Sequence, residues 1–220
     1  MTKKKALELK PYTPAHMSTV TNKLVDINFL ADKDIDLVDI AHSLGMLCRY
    51  NGHTKSFYSV AEHSVRLATY AYNNYPEPFR LELAKLLLIH DATEAYVGDI
   101  VYHLKRQMTQ FCEVEAIVDK AIHAKFGLTE QQPIYISIVK ELDRRICFDE
   151  MYLLFEGNID PMFYDQRIVP LGFSKILLNN DDKIGWSPED AKKKFLGMAA
   201  FLGLLNPKPE EINHDENHSN

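Results

Sequence analysis

The chain has 220 residues, 46% hydrophobic and 25% charged, a balance that lets one ordinary domain bury a sizeable core. A net charge of -6 with lysines scattered along the chain excludes nucleic acid as the main partner, since a duplex binder needs a basic face to displace counterions. The longest apolar runs, such as Leu86-Leu87-Leu88-Ile89, fall far short of a membrane span, and the Lys-rich start is followed by no apolar signal core. Cys48, Cys112 and Cys147 stand far apart and form no CxxC pair, which points to buried thiols in a reducing compartment, a cytoplasm.

In chain order, the first dozen residues up to Pro14 read as a loosely held arm. Residues 34–49 carry a 3.6-residue stripe of Leu37, Ile40, Ala41, Leu44, Leu47 and Cys48. Ser59 and Glu62 form a capping box for a second helix with Val65, Leu67, Ala68 and Tyr72. A third helix opens near Pro78 and runs to about Val97, with Gly98 at its cap. A fourth spans roughly 107–126, and a fifth starts at Pro133 with Ile136, Val139, Ile146 and Met151 on its stripe. Residues 157–186 read as irregular, and Ser187-Pro188-Glu189-Asp190 announces a last helix to about Leu205. From Asn206 the chain has almost nothing to bury and reads as a disordered tail. Strand alternation is absent, apart from a brief pairing available to Arg167-Ile168-Val169. The expected architecture is all-α, a single helical domain over residues 1–205 with its N-terminal arm.

The chemistry centres on His90-Asp91, at the end of the apolar run of the third helix. Neighbouring helical side chains diverge by about 100°, so an imidazole and a carboxylate there converge only on something between them, and a metal ion satisfies both. Glu94 follows four residues later, one turn along. His63, in the first turn of the second helix, can complete the set. So can Asp143, because a carboxylate on a buried stripe costs several kcal/mol unless paired or metal-bound. Two imidazoles and two carboxylates suit Mn, Fe, Co, Ni or Zn better than Ca.

The order His…His-Asp…Asp resembles the HD-domain phosphohydrolase superfamily. The segments HDATEAYVGDI, with Lys105 beyond it, and CRYNGHTKSFYSVAEHS look like the bacterial 5′-deoxynucleotidases of that superfamily, and more closely like dATP triphosphohydrolases of phages that use 2-aminoadenine. The similarity runs from about residue 36 to 155. It implies an HD-type helical bundle in which His63, His90, Asp91 and Asp143 hold a divalent transition metal. Glu94 and Asp99 are then catalytic carboxylates, and Arg49 and Lys105 bind phosphate. Tyr50 takes the place of a tryptophan that helps read sugar and base in the bacterial enzymes, so the choice of substrate stays open. Lys55, in the polar loop before His63, is a further cation for a phosphate tail, and additional Mg²⁺ can bridge those phosphates. The resemblance implies a cytoplasmic enzyme (in the host cytoplasm if phage-encoded) and a homo-oligomer, with a nucleotide as its small-molecule substrate. Three activities stay open: a dATP triphosphohydrolase releasing deoxyadenosine and triphosphate, a 5′-deoxynucleotidase, and a nucleotide- or metal-binding module without catalysis.

Overall fold

The structure is a computed structural model that describes residues 15–128, 133–155, 167–177 and 182–205. The expected arm up to Pro14, the tail from Asn206, and residues 157–166 and 178–181 of the stretch 157–186 read as irregular lie outside the described residues. Among the described residues the fold is all-α apart from one small hairpin. The main helices are α1 (Leu37–Met46), α2 (Val60–Asn74), α3 (Phe79–Ile89), α6 (Thr109–Lys125), α7 (Pro133–Leu154) and α9 (Pro188–Phe201). Single-turn helices α4 (Glu94–Val97), α5 (Tyr102–Lys105) and α8 (Phe173–Ile176) lie between them. Among the described residues, no helix is long and apolar enough to cross a membrane.

The hairpin corrects the expectation of no strand near the start. Strands β1 (His16–Ser18) and β2 (Leu24–Asp26) pair antiparallel, with Met17 opposite Val25. Three residues are too few to show alternation in sequence, but Val25 inserts into the core at 1% exposure. Residues 167–169 form no strand; the Val169 carbonyl instead accepts from Arg145 Nε at 2.7 Å.

α2 is the central element. Every residue from Val60 to Ala68 is buried, the pattern of a helix enclosed on all sides. α1, α3 and α9 pack around it, and α7 crosses against α2 and α3. One hydrophobic cluster runs from Val25 through Leu44, Leu67, Leu87 and Ile146 to Phe195 and Leu204.

Helix ends follow the expected signals in part. Asp36 caps α1 by accepting from the Val38 N–H, but α1 stops at Met46 rather than 49. Leu47 turns extended so that Cys48 can bridge to Ser59, with Arg49 N–H donating to the Tyr58 carbonyl at 2.8 Å. Ser59 accepts from the Glu62 N–H at 3.0 Å, as a capping box requires. The Glu62 carboxylate, however, does not return to the cap. It accepts from the N–H groups of Gly185 and Trp186 and from Arg66 Nε and Nη2, all within 3.2 Å.

Arg66, fully buried, ties this helix to the later chain. Its guanidinium also donates to the Ile176 carbonyl at 2.9 Å, to Asp182 Oδ2 at 2.6 Å and to the Lys183 carbonyl at 3.1 Å. Its Cζ lies 4.5 Å from the centre of the Trp186 ring. Gly185, at φ +96, sits so close that an added Cβ would meet the Phe57 carbonyl oxygen at 2.9 Å. The described end of the stretch after α7 is thus pinned through buried charge.

Candidate metal centre

The third helix does not run unbroken to Val97 as its periodicity predicts. It ends at Ile89, and residues 90–93 tighten into i→i+3 bonding: Ala92 N–H to Ile89 O at 2.8 Å, Glu94 N–H to Asp91 O at 3.0 Å and Tyr96 N–H to Thr93 O at 2.9 Å. A turn of this kind advances about 120° per residue, so side chains three apart eclipse. Glu94 thus lies within the electrostatic reach of both Asp91 and His90. Gly98 caps the turn with φ +82 while its N–H bonds back to the Glu94 carbonyl at 2.8 Å.

Four side chains from α2, the 90–93 turn and α7 converge. His63 Nε2 lies 3.3 Å from His90 Nε2, 3.2 Å from Asp143 Oδ1 and 3.6 Å from Asp91 Oδ2. His90 Nε2 lies 3.2 Å from Asp91 Oδ2 and 3.9 Å from Asp143 Oδ1. Donors about 2.1 Å from a shared cation stand about 3.0 Å apart across a right angle and about 3.4 Å apart across a tetrahedral one. The observed separations of 3.2–3.9 Å fall at and slightly beyond that range.

The two imidazoles are turned with their Nε2 atoms inward. His63 Nδ1 donates to Glu150 Oε1 at 2.6 Å, and His90 Nδ1 donates to the Leu87 carbonyl at 2.8 Å. Each outer partner fixes the tautomer that frees Nε2 as a ligand, as second-shell groups do in metal sites. With neutral rings, two Nε2 lone pairs would face each other across 3.3 Å, between two carboxylates. A divalent cation cancels the double negative charge and removes that repulsion, so the donor set fits one.

Charge at the centre tells the same story in the metal-free protein. Burial opposes ionisation of Asp91, but His90 and then His63 hold its carboxyl down at about 2. Burial likewise disfavours the Asp143 carboxylate, yet hydrogen bonds from His63 and His90 hold it well below the ordinary range. His90 is driven up correspondingly: burial would lower it, and Asp91 and Asp143 outweigh burial. Asp143 is not sealed within the apolar stripe as expected; its side chain is 40% exposed, which leaves an open side.

The remaining candidates divide. Arg49 Nη1 donates to Asp91 Oδ2 at 3.1 Å, which places its guanidinium at the cluster. Glu94 Oε2 is buried with no hydrogen-bond partner, and burial, Asp91 and Asp99 push its carboxyl up to about 10. Asp99 is half-buried within the field of Arg49, Asp91 and Lys105, and burial raises its carboxyl too. Lys105, expected to bind phosphate, is ion-paired with Glu115 of α6. Lys55 is exposed in its loop, its N–H bonded to the Leu154 carbonyl at 3.1 Å. Tyr50 stands in the left-handed region at φ 57, followed by Asn51 at φ 51, and donates its hydroxyl to Glu150 Oε2 at 2.8 Å.

Glu150 is the residue the sequence reading misses. It is fully buried on α7 and accepts from His63, from Tyr58 at 2.6 Å and from Tyr50, with Arg49 Nε 3.6 Å away. Burial works against its charge, and His63 and Arg49 overcome it, holding the carboxyl below the ordinary glutamate range. Its signal was present in the sequence: it lies seven residues after Asp143, two turns along the same face. Cys147, between them, is half-buried rather than buried, 3.6 Å from Arg49 Nη2. Cys48 and Cys112 are half-buried as well, and the described structure leaves all three as free thiols.

Comparison with known proteins agrees with this geometry. Residues 49–145 match the HD domain family, a segment that contains all four converging side chains. The chain is 40% identical over 110 residues to YfdR, an uncharacterized protein of Escherichia coli strain K12, across 50% of this chain and 56% of that protein. It is 38% identical over 104 residues to an uncharacterized protein of Rhodobacter capsulatus, across 46% and 52% respectively. The chain thus spans about half the length of the curated relatives it matches. The segment of this chain that is similar to an HD domain therefore encloses the whole donor set, with its tautomers fixed from outside.

Proposed function

We propose that the protein is a metal-dependent phosphohydrolase acting on deoxynucleotides, with dATP as substrate and deoxyadenosine plus triphosphate as products. The observation that carries the hydrolase reading is the convergence of His63, His90, Asp91 and Asp143 in the field of the Glu94 carboxyl group, whose buried Oε2 has no hydrogen-bond partner. The choice of dATP rests on the resemblance of residues 48–64 and 90–100 to the phage enzymes.

His63, His90, Asp91 and Asp143 would hold a divalent transition metal, which would supply a water of lowered pKa, about 7, and polarise a phosphoryl oxygen. The chain's own groups supply the rest. Arg49, fixed by Asp91 and close to Glu150, presents a planar guanidinium to the phosphate oxygens at the reacting phosphorus. A cation that offsets the Asp91 charge would remove one of the causes that raise the Glu94 carboxyl, and the ionised Oε2 would then take the proton of the attacking water as the new P–O bond forms. Asp99, whose carboxyl burial keeps inclined to hold a proton, faces the same field and delivers a proton to the departing 5′ oxygen as the ester bond breaks. Lys105 can turn from Glu115 to the phosphate tail, where Lys55 is a further cation.

A 5′-deoxynucleotidase is the second reading, favoured by the pairing of Lys105 with Glu115, which leaves Arg49 as the cation fixed at the cluster among the described residues. The test is a product assay on purified protein loaded in turn with Mn²⁺, Co²⁺, Zn²⁺ and Mg²⁺ and offered each dNTP, NTP and dNMP. Deoxyadenosine and intact triphosphate from dATP establish the first reading. Inorganic phosphate from monophosphates alone establishes the second, and no turnover with metal bound overturns both.

A further inference from the structure

Tyr50 and His63 lie on different parts of the chain, yet both end on one carboxylate. The Arg49–Gly52 turn carries Tyr50 in a left-handed conformation that side chains other than glycine rarely adopt. Such a conformation costs of the order of 1 kcal/mol or more and persists where surroundings hold it. What holds Tyr50 is visible: its hydroxyl donates to Glu150 Oε2 at 2.8 Å, and its ring meets Phe155 edge-on with centroids 5.7 Å apart. The other oxygen, Glu150 Oε1, receives both His63 Nδ1 and the Tyr58 hydroxyl at 2.6 Å. Glu150, Tyr58 and His63 are each fully buried, so no water replaces a lost partner without rearrangement.

We infer that Glu150 is a positioning residue that couples the Tyr50 turn to the metal centre, so that Tyr50, which ligates no metal, sets metal affinity through His63. The inference rests on the metal-centre reading above and goes beyond it in assigning Glu150 and Tyr50 one shared role. The physical route is short. A carboxylate polarised by Tyr50 and Tyr58 stays in one rotamer, and in that rotamer it orients the His63 ring and strengthens Nε2 as a donor. Removing the Tyr50 hydroxyl frees one oxygen of the carboxylate and lets it rotate, which loosens His63. Linkage makes the effect reciprocal: a cation on His63 stabilises the rotamer that holds the Tyr50 turn.

The experiment is Co²⁺ binding to the full chain, measured by competition with a chelating dye and by the visible absorption of the bound ion. Wild type is compared with Tyr50→Phe, Tyr58→Phe, Glu150→Gln and the Tyr50→Phe/Glu150→Gln double variant. Glu150→Gln should weaken Co²⁺ binding about 10- to 100-fold, the usual cost of losing an outer-shell partner. Tyr50→Phe should weaken it several-fold and change the absorption band, and the double variant should be no weaker than Glu150→Gln, because both act through one contact. If Glu150→Gln fails to fold, Tyr50→Phe and Tyr58→Phe carry the test, since each keeps its ring and loses one hydroxyl. Unchanged Co²⁺ affinity in Tyr50→Phe, or fully additive losses in the double variant, overturns the coupling while leaving the metal centre standing. Absence of Co²⁺ binding by wild type overturns both.

Discussion

At the scale of single residues, Asp91 and Glu94 show how neighbours in sequence take opposite parts. Asp91 lies 3.2 Å from His90 Nε2 and accepts from Arg49, and its carboxyl is held at about 2. Glu94, three residues on, has an oxygen with no partner and a carboxyl pushed up to about 10 in the metal-free protein. The difference is partnership rather than depth, because burial raises both. Asp91→Ala should therefore abolish metal content and turnover together. Glu94→Gln should retain metal, measured by elemental analysis, and lose about 100-fold or more in kcat, the usual share of a proton-transferring group. Near-normal turnover in metal-loaded Glu94→Gln would remove it from the mechanism. His63, His90, Asp91 and Asp143 were singled out in the sequence by residue type and position, and the fold brings their side chains together. Glu150 was not picked out, since its partners Tyr50, Tyr58 and His63 lie about 90 to 100 residues away along the chain.

At the scale of elements, the enclosed helix α2 is held at two adjacent positions by different means. Its His63 faces the metal centre, while Glu62 and Arg66 hold the chain from Ile176 to Trp186. Arg66 is fully buried and satisfied by two carboxylates and two carbonyls. Deleting one member of such a network leaves buried charge unpaired at a cost of about 3–5 kcal/mol. Arg66→Met should thus lower the melting temperature by roughly 10 °C for a chain of this size. A fall of only a degree or two in thermal unfolding would show that Glu62 and Asp182 find other partners. The helices themselves were readable from apolar spacing, and their starts at Asp36, Ser59, Pro133 and Ser187-Pro188 came close to the expected positions. Their ends were read less well. α1 stops early for the Cys48–Ser59 bridge, a pairing beyond the helix, and α3 gives way to a tight turn at 90–93 whose i→i+3 bonds no apolar period announces.

At the scale of the whole molecule, the four donors come from α2, the turn after α3, and α7, segments separated by 27 and by 52 or more residues. A cation bound among them is a cross-link between distant parts of one core. It should stabilise the fold by about 2.7 kcal/mol at a free concentration a hundred times its dissociation constant. That corresponds to a rise of about 5–10 °C in melting temperature, reversed by a chelator. A melting curve indifferent to Co²⁺ and to chelator would show that the donors hold no metal. The all-α class and the choice of the four side chains that converge followed from the sequence alone, since hydrophobic spacing and residue chemistry are local properties. The β1–β2 hairpin, the open side at Asp143, the engagement of Lys105 by Glu115 and the sharing of Glu150 by Tyr50 and His63 were decided by the tertiary structure. Each depends on which side chains far apart in the chain come within hydrogen-bonding or packing distance, and no periodicity along a single strand of sequence encodes that.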